Sequence, residues 1–132
     1  MAKTVLSMKV SHEVPRCLLN NSRDFNDYDY CLPHLLDKDE HYKNFFYESK
    51  KRGRYIIMDN SLHELGESYS FERLHYWIKE LEPNEFIVPD VWMKHAQTVS
   101  MAKYWKQFNY PKKTIPIAVI QGEDKNAAYL CA

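Results

Sequence analysis

The sequence predicts an α/β fold built from parallel βα units. Three apolar runs each end on polar side chains. Tyr55–Met58 leads into Asp59-Asn60, Phe86–Pro89 into Asp90, and Ile117–Ile120 into Gln121-Gly122. Short runs of Ile, Val and Phe bounded by polar residues have the composition of buried strands. Strand candidates at Tyr30, Tyr55, Phe86 and Ile117 recur at a spacing of roughly 30 residues, the length of a strand, a crossover helix and two loops. Four such units fit either a small doubly wound sheet or the first half of a (β/α)8 TIM-like barrel, which needs about 250 residues when complete.

The totals agree with one globular domain spanning 1–132. The 132 residues are 45% hydrophobic and include three Gly, which argues against a disordered or collagen-like chain. Lys+Arg and Asp+Glu both number 18, so the formal charge of zero neither supports nor excludes a nucleic-acid partner. Ten Tyr and three Trp serve either as core filler or as surfaces on which bases stack. Cys17, Cys31 and Cys131 show no CxxC spacing and define no zinc site. With no signal peptide and no apolar run of about 18 residues, the reading is a soluble protein of a reducing compartment, off the membrane.

The elements follow in order. Thr4–Val10 has partial alternation and is expected to form a first strand. His12–Arg23, with Pro15, reads as a loop or one short helix near Val14–Leu19. A turn-rich stretch, Asp24–Tyr30, approaches a strand over Tyr28–Leu32, and Pro33-His34 follows it. Between Lys38 and Arg52, Tyr42, Phe45, Phe46 and Ser49 sit at helical spacing. Gly53 stops that helix, and Lys50, Lys51 and Arg52 suit its carboxyl end. Ser61–Tyr69 is a connection, and Ser70 is an N-cap. Phe71, Leu74, Trp77, Ile78 and Leu81 form one face of an amphipathic helix that Pro83 ends. Strands are expected over Phe86–Val88 and Ile115–Ile120, with a helix over Thr98–Phe108 between them. Glu123–Ala132 reads as the opening of one more helix.

The polar strand ends carry the functional argument. Asp59 and Asp90 each suit two roles, capping the next segment or facing a ligand. Gln121-Gly122 equally suits an ordinary turn in which Gly supplies a positive φ. Repetition of one placement on three strands favours a shared rim, because adjacent parallel strands bring their carboxyl ends together. Two carboxylates and an amide there match a heterocycle that presents N–H donors and a carbonyl. His34, Asn60, His63 and Glu64 are further rim candidates. HExxH, GxGxxG and P-loop patterns do not occur, so no metal or nucleotide cofactor is implied.

At these positions the chain resembles the tRNA-guanine transglycosylase superfamily, and most of all its phage-type members, some of which insert 7-deazaguanine bases into DNA. The matching pieces are Ile57-Met58-Asp59-Asn60-Ser61 with Glu64 and Gly66, then Ile87-Val88-Pro89-Asp90, then Ala118-Val119-Ile120-Gln121-Gly122. Asp24–Tyr30 and His34 are also similar to that branch. The resemblance implies a TIM barrel that exchanges guanine for a 7-deazaguanine in DNA or tRNA through a covalent enzyme–ribose intermediate, a pentosyltransferase activity in the cytoplasm. It implies Asp59 as the base-contacting carboxylate that assists proton transfer. Asp90 would read the guanine-like edge, and Gln121 and Gly122 would complete base recognition, with Asn60, Glu64 and His34 beside them. The family's nucleophilic Asp and zinc ligands come from later strands, beyond the end of this chain. Asn60-Ser61-Leu62-His63 also replaces the family's Gly-rich stretch. The chain therefore carries the base-recognition half and no identifiable nucleophile. Two functions follow: a base-exchanging enzyme, or an inactive half-barrel that serves as a phage interaction protein. Either way an incomplete barrel leaves a strand edge open, so self-association or a covering partner is expected.

Overall fold

A computed structural model describes residues 7–111 and 113–132. Its sheet has four strands, β1 (Asp29–Cys31), β2 (Ile56–Met58), β3 (Glu85–Ile87) and β4 (Ile115–Ile117), all parallel and in the order β1-β2-β3-β4. The order lacks the reversal that defines a doubly wound sheet. Register places Tyr30 beside Ile57, Ile57 beside Glu85 and Glu85 beside Ile115.

The helices are α1 (Pro33–Lys38), α2 (Glu40–Lys51), α3 (Leu62–Leu65), α4 (Phe71–Leu81), α5 (His95–Trp105) and α6 (Lys125–Cys131). Local chemistry sets their ends. The Asp39 side chain accepts the N–H of Tyr42 at the start of α2, and Gly53, at φ 70°, follows its end. Ser70 caps α4 by accepting the N–H of Arg73, and Glu82 ends it in the left-handed region.

Strand side chains alternate between two environments. Cys31, Ile56, Met58 and Phe86 are buried in one core with Phe45, Phe46, Leu74, Ile78 and Trp105 of the helices. The residues between them, Tyr30, Ile57, Ile87 and Ile117, keep partial exposure. One face of the sheet is thus helix-covered, and the other is open among the described residues.

Several expectations are corrected. Of the strand expected over Thr4–Val10, residues 4–6 lie outside the described residues, and Ser7–Val10 has no regular secondary structure. Val10 instead exchanges two hydrogen bonds with Asp27 alone, its N–H going to Asp27 Oδ2 and its carbonyl accepting the Asp27 N–H, both at 2.8 Å. The loop or short helix near Val14–Leu19 is a 3-10 helix over Arg16–Asp24, entered through Pro15. α3, within the expected connection Ser61–Tyr69, is a short helix, and so is α1, over a stretch in which no element is expected. α5 begins three residues before Thr98 and stops at Trp105.

Candidate functional site

The carboxyl ends of all four strands carry polar side chains, and hydrogen bonds link them into two adjoining groups. The first is centred on Asp59, directly after β2. Its backbone N–H donates to the Cys31 carbonyl at 2.8 Å, which extends the β1–β2 pairing by one step. Tyr30 lies on the same sheet face two register steps earlier, and its hydroxyl donates to Asp59 Oδ1 at 2.9 Å. Oδ2 accepts the Ser61 N–H at 2.9 Å. This local bond holds Ser61 at φ 58°, an unusual conformation for a side chain other than Gly. The Ser61 hydroxyl shares a 2.8 Å hydrogen bond with Nδ1 of His34, at the start of α1. Burial and the neighbouring Asp59 carboxylate push the Tyr30 phenol up, so it remains a donor; burial lowers the His34 imidazole.

The second group is centred on Asp90, which is 5% exposed. Asn60 Nδ2 donates to Asp90 Oδ1 at 2.6 Å and to the Val88 carbonyl at 3.1 Å. Gln121 Nε2 donates to Asp90 Oδ2 at 2.7 Å. The Gln121 carbonyl oxygen accepts the Met93 N–H at 3.2 Å, and Ser68 Oγ donates to the Asp90 backbone carbonyl at 3.0 Å. Asn60, Asp90 and Gln121 come from three consecutive strand ends, so parallel strand order is what brings them together. A buried carboxylate needs compensation. Here two neutral amides supply it, and among the described residues no Lys or Arg pairs with Asp90.

Of the expected site residues, Asp59, Asn60, Asp90, Gln121 and His34 therefore fall into these networks. Glu64 sits exposed on α3, near the Glu13 carboxyl. Burial, Glu64 and Asp59 together raise Glu13. For Gly122 the reading corrected is the turn with a positive φ. It has no positive φ; a Cβ there would lie 2.3 Å from the Ala128 backbone nitrogen, so Gly permits close approach of α6.

Sequence reasoning passed over Tyr30, Glu13 and Trp92. Strand register is the signal for Tyr30, since it aligns with Ile57 and shares a face with Asp59. Glu13 is brought to the rim by the Val10–His12 segment. The His12 N–H donates to Asn26 Oδ1 at 2.7 Å, and Asn26 Nδ2 returns a bond to the His12 carbonyl at 2.9 Å. Among the described residues no group of His, Cys, Asp and Glu could hold a metal ion, and no helix is long and apolar enough to cross a membrane. Comparison with family models, curated proteins and solved structures finds no match to this chain.

Proposed function

We propose that this chain reads the polar edge of a guanine-like base, as the base-recognition half of a cytoplasmic transglycosylase-like scaffold acting on DNA or tRNA. The carrying observation is Asp90, buried at a strand end and bonded, among the described residues, by side-chain amides alone. An amide partner can rotate away and leave a desolvated carboxylate oxygen for a ring or exocyclic N–H. Gln121 is the group to move, because it bonds only one side chain and one loop N–H. Once released, its amide can donate to a carbonyl or accept from an N–H. Asn60 is buried, holds three hydrogen bonds through its side-chain amide, and stays as the fixed wall.

Asp59 is half-buried with both oxygens accepting, which suits it to taking a proton beside a departing base. No Asp of this chain is assigned the nucleophile's role, so base exchange requires a residue supplied from elsewhere. A half-barrel is supported by the sequential strand order and the single helix-covered face.

Titration calorimetry with guanine and 7-deazaguanine, with uracil as control, tests the reading. Asp90→Asn and Gln121→Ala are expected to weaken purine binding by roughly ten-fold or more, the value of a hydrogen bond to a charged group. Unchanged binding in both variants would sink it.

The open sheet face favours a second reading, a half-barrel without chemistry that acts as an interaction protein. Ile115, Ile120, Tyr129 and Leu130 are all exposed near the β4 edge. Such a surface calls for self-association or a covering partner. A monomer in sedimentation at micromolar concentration, with no complex on adding host proteins, counts against that reading.

A further inference from the structure

We propose that a second copy of this chain docks into the groove between α5 and β4, each copy seating its α6 in the groove of the other. The proposal rests on the interaction-protein reading and deepens it by naming the partner and the surface.

The helix cover of the sheet is incomplete at β4, and the groove left there has a volume of about 670 Å³. That is the size of a site that holds a whole small molecule. Val99 and Ala102 of α5, Phe108 just beyond it, and Pro116 and Ile120 supply an apolar lining. Lys103 and Lys106 are its charged side chains, and both are exposed. Among the described residues no Asp or Glu lines the groove, and neither lysine is in an ion pair.

The outer edge of β4 is closed to another strand over this stretch. The Ile115 N–H donates to the Asn84 carbonyl and the Ile117 carbonyl accepts the Val88 N–H, both at 2.9 Å, so these two residues face β3. Pro116 between them faces outward, and it has no N–H to offer. The Thr114 N–H is already spent on the Pro111 carbonyl at 2.9 Å. A partner here therefore docks through side chains.

α6 carries the side chains that suit the groove. Its Tyr129 and Leu130 are 70% and 72% exposed, and of the large apolar side chains described only Met8 is more so. Glu123 and Asp124, both exposed, stand just before the helix, and Lys125 lies over the Tyr129 ring at 5.8 Å. An apolar helix flank led by two acids is complementary to an apolar groove edged by two lysines. Helix and groove also adjoin, since Cys131 of α6 lines the groove. A two-fold axis beside them lets each copy give and receive the same contact, which closes the dimer.

The test is sedimentation of the full chain across the micromolar range, read as a dimer dissociation constant. Wild type is expected to dimerise, and Leu130→Glu should raise that constant roughly ten-fold or more. Leu130 lies on the surface, so circular dichroism should show the variant folded. Charge then identifies the partner. Lys103→Glu/Lys106→Glu sets acid against acid, and Glu123→Lys sets base against base, so each alone should dimerise more weakly. Mixed in equal amounts, the two should recover wild-type association, because both contacts of the mixed pair attract. A monomeric wild type, a dimer that Leu130→Glu leaves unchanged, or a mixture no tighter than either variant alone overturns the proposal. If wild type dimerises but is indifferent to these variants, another face is used; the interaction reading survives and this one falls. If wild type is monomeric and binds no added host protein, both fall.

Discussion

Two buried aspartates lie at opposite ends of the same sheet and are held in opposite ways. Asp29 opens β1 and is 2% exposed. Arg54 grips it with two nitrogens, Nη2 at 2.8 Å and Nε at 3.3 Å, and Nη2 also donates to the Asn26 carbonyl at 2.8 Å. The Asp29 carboxylate raises the Arg54 guanidinium further. The rest of the amino end is tied down similarly: the Asn84 side chain accepts the Ile56 N–H at 2.9 Å, and Thr114 Oγ1 donates to the Pro83 carbonyl at 2.7 Å. Among the described residues the Asp90 carboxylate, at the carboxyl end, meets only the amides of Asn60 and Gln121. A buried carboxylate gripped by a cation is a fixed structural element, because parting the two strands its charge in low dielectric. A carboxylate held by rotatable amides can change partners at modest cost. Burial alone therefore does not separate structure from function; the kind of partner does.

Removing the cation at the amino end should have the largest effect. Arg54→Met strands Asp29, and urea unfolding is expected to show a loss of about 3 kcal/mol or more with base binding unaltered. A loss below about 1 kcal/mol would erase the contrast. Next comes Gly122→Ala, which pushes a methyl into the α6 backbone. It is expected to cost about 1–3 kcal/mol and to raise hydrogen exchange in α6 selectively. Unchanged exchange there would mean the loop has room to yield. Asp90→Asn should cost stability only about 1–2 kcal/mol, since one amide contact is lost and no charge is left unpaired.

The pH dependence is smaller still. Burial lowers both His34 and His75, the latter with its Nε2 unpartnered and its ring stacked on Trp105. A lowered native value means the unfolded chain takes up the proton more readily, so stability rises with pH across this window. It is complete above the ordinary histidine value of about 6.5 and declines as pH falls through the lowered native values. Unfolding measured at pH 7.5 and 5.5 should show that decline. His75→Phe, which keeps a ring against Trp105, should flatten it; an undiminished slope would assign the effect to other groups. The smallest effect belongs to the exposed Arg52–Glu48 pair, where Glu48→Ala should leave the thermal midpoint essentially unmoved.

These contrasts bear on what the sequence alone could convey. Periodicity placed α2 and α4 well, because Tyr42, Phe45, Phe46 and Ser49, and then Leu74, Trp77, Ile78 and Leu81, are the buried positions of those helices. The polar strand ends were legible because an apolar run must stop somewhere, and three stop on hydrogen-bonding side chains. The partners were not legible. Nothing local links Tyr30 to Asp59 or Asn60 to Asp90, since the pairing depends on strand order and register. α1 was hidden because its Pro33 reads equally as a turn, and α3 because four residues show no period. Gly122 was misread because a close backbone approach from α6 has no signature within the turn itself.

Thermal unfolding with and without saturating 7-deazaguanine, in wild type, Arg54→Met and Asp90→Asn, tests the contrast most directly. The ligand should raise the midpoint of wild type and of Arg54→Met by similar amounts, although the latter starts lower, and should leave that of Asp90→Asn unmoved. An equal rise in Asp90→Asn would show that the buried carboxylate at the carboxyl end is as structural as the one at the amino end.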